Sequence, residues 1–219
     1  MPQLFRPSAN TISQVSLAGI VILAGVTLAV AYTMDRGNWM TFVEDAPEQP
    51  IPFSHKHHVK DDGIDCRYCH TSVETSHYAG LPPTETCMTC HSQIWLSATL
   101  TQPIRDSWAS GRSIEWRRVH DLPDFVYFDH SIHINKGIGC STCHGPVDQM
   151  PLMYRVNTLY MNWCINCHRD PSKYIRPKSE VFNIDYVYPE NQAALGAQLV
   201  KEYHVQNPRA LTDCFTCHR

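Results

Sequence analysis

Residues 128–144 read FDHSIHINKGIGCSTCH and place two histidines, three residues apart, a short distance before the pentapeptide Cys-x-x-Cys-His. Residues 53–70 repeat the pattern as FSHKHHVKDDGIDCRYCH. A second Cys-x-x-Cys-His follows each copy, at 87–91 and 164–168, and a fifth stands at 214–218. The chain is therefore organised around two copies of one unit and five copies of one pentapeptide.

The five pentapeptides contain all ten cysteines of the chain, and a histidine follows every pair. Two cysteines and the next histidine are what a c-type haem needs, because the sulfurs bond to the vinyl groups and an imidazole nitrogen bonds to iron. Zinc sites combine two Cys-x-x-Cys pairs, so five pairs would leave one over, and a disulfide framework would not require the histidines. The pattern predicts five covalently attached haems c. Their predicted binding residues are Cys66, Cys69, His70, Cys87, Cys90, His91, Cys140, Cys143, His144, Cys164, Cys167, His168, Cys214, Cys217 and His218.

The size of the chain predicts the fold class. Its 219 residues leave about 184 after the N-terminal segment, or roughly 37 per haem, which is a low ratio for a chain that must also build an ordinary core. We expect a multihaem cytochrome c in which short helices and irregular chain wrap around the haems, with little or no sheet. The formal net charge is −3, and no nucleic-acid partner is expected.

Arginines could pair with the haem propionates. A solvated surface charge is nevertheless the commoner role for each of them. The candidates are Arg105, Arg112, Arg117, Arg118, Arg155, Arg169 and Arg176.

The N-terminal segment from about Ile12 to Met34 is apolar and contains no ionisable residue. At 1.5 Å per residue it is long enough to cross a bilayer. The alternative is a cleaved signal peptide, for which residues 29–31 (Ala-Val-Ala) would be a suitable site. The apolar run is longer than the core of a usual signal peptide, so we expect residues 1–34 to be a short cytoplasmic stub and an uncleaved transmembrane anchor.

Haem attachment decides the side of the membrane, because the few charges that flank the span give no clear bias. Haem is attached to Cys-x-x-Cys-His outside the cytoplasm. Residues 53–219 are therefore expected to form a periplasmic domain with five haems, anchored in the bacterial inner (cytoplasmic) membrane. Residues 35–52 contain three prolines and are expected to be a polar, stiff linker. Within the domain we expect repeat units at about 53–91 and 120–168, with the fifth haem at 214–218.

One or two short helices are predicted in residues 92–118, and Pro103 could begin the second and Gly111 could end it. After the repeat units, an amphipathic helix is predicted from Glu190 to Tyr203, with Leu195 and Leu199 on the same face as Tyr203. It leads the chain to the fifth motif.

Eight histidines remain when the five motif histidines are subtracted from 13. This excess favours haems with two histidine ligands each. In Phe-x-His-x-x-His the two imidazoles lie on one side of a helical turn, so they can reach two neighbouring irons. The predicted distal ligands are His55, His58, His130 and His133. His57 lies between the paired positions and is expected to face solvent.

The Phe-x-His-x-x-His segment before Cys-x-x-Cys-His resembles the cytochrome c3/c7 class, duplicated here over about residues 53–91 and 128–168. In that class the first histidine of the pair serves the haem of the next motif, and the second serves a later haem. The resemblance implies four ligand pairs. They are His55 with His70, His58 with His91, His130 with His144, and His133 with His168.

The whole layout is similar to a narrower family, the pentahaem subunit of bacterial alternative complex III. The similarity rests on the N-terminal helix, on residues 117–128 (RRVHDLPDFVYF), on residues 161–169 (MNWCINCHR) and on the terminal motif. It implies an electron-transfer subunit, not itself an enzyme, in a membrane quinol:electron-acceptor oxidoreductase. The implied partners are multi-span quinol-binding subunits, an iron–sulfur subunit, further cytochrome c subunits and a periplasmic electron acceptor.

The distal ligand of the fifth haem stays open. His120 is the first candidate because it lies in a proline-containing loop that could rest against a haem. Further candidates are His77, His204, Met150, Met153 and Met161, and a thioether ligand would raise the potential of its haem. If His120 serves an inner haem instead, the four pairings above shift by one.

Two other functions compete with the electron relay. A stand-alone quinol dehydrogenase of the NapC/NirT type also has one N-terminal helix and several c-type haems, but usually four. A multihaem enzyme, such as one that converts nitrite or hydroxylamine, needs a haem with an open coordination position. The excess of histidines argues against that enzyme.

Overall fold

The computed structural model describes residue 6 and residues 8–218. Most of the predicted cytoplasmic stub lies outside these residues. The chain divides into two compact units, one up to Phe42 and one from Val43 onward. The helices are α1 (Ser8–Asp35), α2 (Asn38–Thr41), α3 (Cys66–Cys69), α4 (Thr84–His91), α5 (Gln102–Ser110), α6 (His130–Asn135), α7 (Cys140–His144), α8 (Met161–Arg169), α9 (Gln192–Glu202), α10 (Pro208–Leu211) and α11 (Cys214–Cys217).

The first unit is dominated by α1, whose 28 residues span about 42 Å at the usual rise. None of its residues is buried. Within the described chain it is the one helix that is long and apolar enough to cross a membrane. After it, Phe42 adopts a left-handed backbone conformation with φ of 53° and ends α2.

The second unit consists of short helices joined by irregular chain. A π-helical turn covers Lys56–Asp61, and single 3₁₀ turns occur at Thr99–Thr101, Val147–Gln149, Pro171–Lys173 and Lys178–Glu180. Among the described residues no strand is assigned, and the only β-type pairings are two isolated bridges, Val43 with Arg155 and Ile138 with Ile175. The expectation of short helices without sheet is confirmed.

The protein core of the second unit is small. Nine hydrophobic residues are buried among all those described, a low number for a domain of this length. One cluster contains Val73, Ile134 and Val181, and the other contains Ile138, Ile175 and Leu199. Both clusters lie beside the third Cys-x-x-Cys-His motif. Cys140 of that motif packs against the first cluster, and Ile138 of the second cluster lies two residues before Cys140.

The predicted linker is partly fixed to the domain. Glu44 N–H donates to the carbonyl of Arg155 at 2.9 Å, and Gln49 makes two hydrogen bonds to the backbone of Arg117 at 2.9 and 3.0 Å. Ile51 is buried. From Val43 the chain therefore runs along the second unit and is not a free spacer.

The two helices predicted outside the motifs are present. α5 has proline in its first turn and ends at Gly111, whose φ of 66° is the left-handed conformation that favours glycine. α9 buries Leu199 and packs Leu195 and Tyr203 against the second core cluster. The apolar residues that the sequence places on one face of this helix are therefore the ones that contact the core.

Candidate haem sites

The Phe-x-His-x-x-His segments have the same geometry in both repeat units. The ring of Phe53 stacks on His58, with ring centres 4.4 Å apart, and meets His55 edge-on at 4.9 Å. Phe128 does the same in the second unit, where it stacks on the second histidine of its segment at 4.6 Å and meets the first edge-on at 4.7 Å. Each phenylalanine therefore sets the plane of two imidazoles at once.

Six histidines point Nδ1 at a main-chain carbonyl oxygen at 2.7 to 3.1 Å. Such a bond fixes the tautomer and leaves Nε2 free to bind a metal. Three are motif histidines and three are predicted distal ligands. The bonds join His58 to Ser54, His70 to Gly80, His130 to His77, His133 to Asp129, His168 to Leu211, and His218 to Phe125.

The separation of the imidazoles matches what a haem with two histidine ligands requires. An iron between two imidazoles puts the ring centres about 6.3 Å apart, given metal–nitrogen bonds of about 2.0 Å. Three histidine pairs have ring centres 6.1 to 6.4 Å apart. They are His58 with His91, His130 with His144, and His133 with His168.

The fourth expected pair, His55 with His70, is also brought together. Burial, followed by the charges of His70 and His58, lowers the pKa of His55 to about 4. The Nδ1 atom of His55 is buried without a hydrogen-bond partner. At neutral pH the imidazole is therefore neutral, which is the form that binds a metal.

His120 contacts an inner motif. Its ring centre lies 4.2 Å from that of His144, too close for an iron between the two in this arrangement. Burial, followed by the charges of Arg155 and His130, lowers the pKa of His120 to about 4, and its Nε2 is buried without a partner. The ligand role expected for His120 stays a prediction.

The other candidates for the fifth distal ligand differ in exposure. His77, His204 and Met161 are exposed, whereas Met150 is completely buried among protein atoms. Met153 is half-buried. His57 is exposed, as expected, and lies 3.8 and 3.6 Å from the carboxylates of the two aspartates that follow it.

Each motif forms a helix or the end of one, so both cysteines and the histidine are on adjacent turns. In α3 and α11 an aspartate just before the first cysteine caps the helix, as Asp65 accepts from the N–H of Arg67 at 2.8 Å and Asp213 from that of Phe215 at 2.9 Å. None of the ten cysteines, all of them described, forms a disulfide. No cluster of three or more metal-binding side chains suited to a single ion occurs in residue 6 or 8–218.

The first motif contacts the second directly and is joined to the third through the segment at residues 181–182. Tyr68, inside the first motif, hydrogen-bonds through its hydroxyl to Thr89, inside the second, at 2.8 Å. Arg67 lies over the ring of Phe182 at 4.5 Å. The N–H of Cys140 in the third motif donates to the carbonyl of Val181, the residue before Phe182. The first motif is therefore between the other two.

The third, fourth and fifth motifs follow in order. α6 carries His130 beside the third motif and His133 beside the fourth. His168 of the fourth motif bonds to the carbonyl of Leu211, three residues before Cys214 of the fifth. The spatial order of the motifs is second, first, third, fourth, fifth.

The thiol groups support this order. In four motif cysteines burial is the main cause of a raised pKa, and the second cause is the negative charge of a thiolate from the adjacent motif. These neighbours are Cys87 for Cys69, Cys66 for Cys140, Cys167 for Cys143, and Cys217 for Cys164. For Cys140 and Cys143 the pKa rises to about 11 and about 12.

One residue near the third motif differs from the sequence expectation. Arg176 was expected to be a solvated surface charge, but only 1% of it is exposed. Its guanidinium lies against Gly139, where a Cβ atom would overlap it. No local sequence pattern indicates this, because the contact depends on the pairing of Ile138 with Ile175.

Two comparisons with known proteins bear on these sites. Residues 126–219 match the family described as cytochrome c7 and related cytochrome c. The chain is also 38% identical over 110 residues to the multihaem cytochrome c subunit of menaquinone reductase from Nitratidesulfovibrio vulgaris. That alignment covers 48% of this chain and 51% of the relative, so the chain spans about half the length of the curated relative it matches. The motifs, the fold and these matches show a cytochrome c7-like multihaem fold.

Proposed function

We propose that the chain binds five haems c, one at each Cys-x-x-Cys-His motif, and that His55, His58, His130 and His133 are distal ligands. The imidazole separations near 6.3 Å carry this proposal. The bound haem iron supplies one-electron redox chemistry. The chain itself fixes the imidazole planes through Phe53 and Phe128.

We propose that His120 serves an inner haem and not the fifth, for which the sequence made it the first candidate. Its ring contacts His144 of the third motif, and the fifth motif lies two places further along the spatial order. Its Nε2 is buried without a partner, and burial keeps its imidazole neutral. The remaining candidates for the fifth haem are His77, His204, Met150, Met153 and Met161.

The spatial order of the motifs supports an electron relay. We infer that electrons enter and leave at the two ends of the series, the second motif (87–91) and the fifth (214–218). Direct contacts join the first motif to the second and the fourth to the segment before the fifth. Close motifs allow rapid transfer of electrons between haems.

The relay is proposed to be an electron-transfer subunit of a membrane quinol:electron-acceptor oxidoreductase of the alternative complex III type. α1 would anchor it in the bacterial inner membrane with the haem domain in the periplasm. α1 has no acidic or basic side chain before Asp35, and no second helix of the described chain could span a membrane, so α1 offers no enclosed acid–base site for a quinol. Quinol oxidation is therefore assigned to multi-span partner subunits, with iron–sulfur and other cytochrome subunits completing the complex.

Electron flow in the opposite direction is the second candidate. The relative from Nitratidesulfovibrio vulgaris is a subunit of a menaquinone reductase, in which quinone is the acceptor. A stand-alone quinol dehydrogenase of the NapC/NirT type is a third candidate, and it requires the chain to oxidise quinol unaided.

The test compares the purified chain with the intact membrane complex, using a menaquinol analogue and then the oxidised quinone. We expect haem reduction or reoxidation to be slow in the isolated chain and rapid in the complex. Rapid haem reduction by the isolated chain, at the rate of the complex, would favour the stand-alone dehydrogenase. The faster direction in the complex decides between quinol oxidation and quinone reduction.

A pyridine haemochrome assay on the same preparation tests the haem count. Five haems per chain are expected because five complete motifs use every cysteine. A result of three or fewer contradicts the assignment.

A further inference from the structure

Arg176 is a fully buried cation whose hydrogen-bond partners are all neutral. One terminal nitrogen donates to the carbonyl oxygens of Glu180 and Asn183, at 3.4 and 3.0 Å. The other lies 3.2 Å from the hydroxyls of Ser141 and Thr142. Its Nε is buried without a partner.

No protein carboxylate among the described residues pairs with this charge, because the ion pairs there involve other cations. The guanidinium lies over the rings of Tyr186 and Tyr188, 4.7 and 5.3 Å from their centres. Burying a cation away from protein carboxylates is costly, so the surrounding hydrogen bonds and aromatic rings must hold this group in place.

The charge is held directly against the third motif. Ser141 and Thr142 are the two residues between Cys140 and Cys143, and both hydroxyls receive hydrogen bonds from the guanidinium. The backbone N–H of Arg176 donates to the carbonyl of Gly137 at 2.9 Å, which fixes the arginine to the segment leading into α7. Gly139 has no side chain, and this lets the guanidinium approach.

We propose that Arg176 is a positioning residue that tunes electron transfer: its buried positive charge raises the reduction potential of the haem bound at Cys140, Cys143 and His144. A fixed positive charge stabilises the reduced iron, which has one negative charge more than the oxidised iron. At an effective dielectric constant of about 20, a unit charge about 10 Å away changes such an equilibrium by roughly tenfold. The middle haem of the series then holds an electron more strongly than it would without Arg176.

This inference rests on the haem assignment proposed above. It also predicts which change matters. Removing the charge, or neutralising it in place, lowers the potential of one haem, whereas changing a distant arginine does not.

The test is a spectroelectrochemical and EPR-monitored titration of the full holoprotein and four variants. Arg176→Gln removes the charge, and Arg112→Gln is the control at an exposed arginine. Thr142→Asp places a carboxylate beside the guanidinium, and Thr142→Asn is its neutral counterpart. The signal of the third haem is assigned by its conversion to high spin in His130→Ala.

We expect Arg176→Gln and Thr142→Asp to lower the reduction potential of that one haem. The expected change is about tenfold in the equilibrium constant for its reduction, which is about 59 mV for one electron. Arg112→Gln and Thr142→Asn should leave the reduction potential of that haem unchanged. An unchanged potential in Thr142→Asp, or an equal shift in Thr142→Asn, overturns the proposal even if Arg176→Gln does not fold. A wild-type protein with fewer than five haems instead overturns the haem assignment, and the haemochrome assay detects that separately.

Discussion

At the scale of single residues, Phe53 and Phe128 orient the two histidines of each Phe-x-His-x-x-His segment. Each phenylalanine stacks on one imidazole and meets the other edge-on. Aromatic pairs of this kind contribute about 0.5 to 1.5 kcal/mol beyond their buried area. The ring planes of both imidazoles are therefore fixed by protein contacts as well as by any metal.

His58 and His57 form a matched pair for testing the distal ligands. Replacing His58 by alanine should leave the haem at His91 without its sixth ligand, because their rings lie 6.2 Å apart. One haem should become high-spin and bind carbon monoxide. His57→Ala should change neither property, since His57 is exposed. Carbon monoxide difference spectra give the answer, and equal effects from both variants would contradict the assignment.

His120 and His130 both lie beside His144 of the third motif. If they are ligands of different haems, the double variant His120→Ala/His130→Ala should have two high-spin haems and each single variant one. We expect this result, because the ring of His120 is too close to that of His144 for an iron between them. Quantified EPR spectra of the high-spin signal provide the measurement. A single high-spin haem in the double variant would assign both histidines to the third haem.

At the scale of elements, α6 carries the proposed ligands of two haems on only six residues. Its N-cap, Asp129, accepts from the N–H of Ile132 at 3.3 Å and from the hydroxyl of Ser131 at 2.6 Å. Its carbonyl oxygen accepts the hydrogen bond from His133 Nδ1. A helix this short depends on its cap, because few hydrogen bonds are formed within it.

Asp129→Ala should lower the free energy of unfolding by about 1 kcal/mol, the usual cost of losing an N-cap. Asp129→Asn should keep most of the stability because its side-chain oxygen can still accept. Urea titrations of the holoproteins provide the comparison, with Asp124→Ala as the control at an exposed aspartate. A larger loss in the control than in Asp129→Ala would contradict a capping role.

Local patterns were enough to predict α5, α9 and the two histidines of each Phe-x-His-x-x-His segment, whereas their pairing with motif histidines came from the resemblance to the cytochrome c3/c7 class. Gly111 ends α5 because of its own backbone freedom, and Leu195 and Leu199 align through helical spacing alone. The burial of Arg176 and the bond between Tyr68 and Thr89 could not be predicted in this way. Both depend on contacts between segments distant in sequence, which no periodicity encodes.

At the scale of the whole molecule, two units of different chemistry follow one another. α1 exposes apolar side chains along its whole length, whereas the second unit has a small protein core beside its haem motifs. The segment from Val43 to Ile51 runs along the second unit through bonds to Arg155 and Arg117. The part of this connection that starts at Val43 is therefore fixed by contacts with the second unit.

Retention of α1 is testable on the mature protein. An uncleaved anchor predicts that the chain stays in the membrane fraction after a high-salt and carbonate wash, because an apolar helix of this length is inserted and not merely adsorbed. Intact-mass spectrometry should find the residues of α1 in the holoprotein. A mature protein that begins after Ala31 would establish the signal-peptide alternative.

The small core also has a consequence for how the protein is made. Nine buried hydrophobic residues among those described release too little free energy to offset the ordering of about 170 residues. If the domain is periplasmic, as proposed, the newly exported polypeptide stays open and its thiols remain accessible to the enzymes that attach haem. Folding would then follow attachment, so a chain that misses one haem would also miss a part of its interior. Such a chain would be exposed to proteases, and incomplete electron carriers would be removed before they reach a partner.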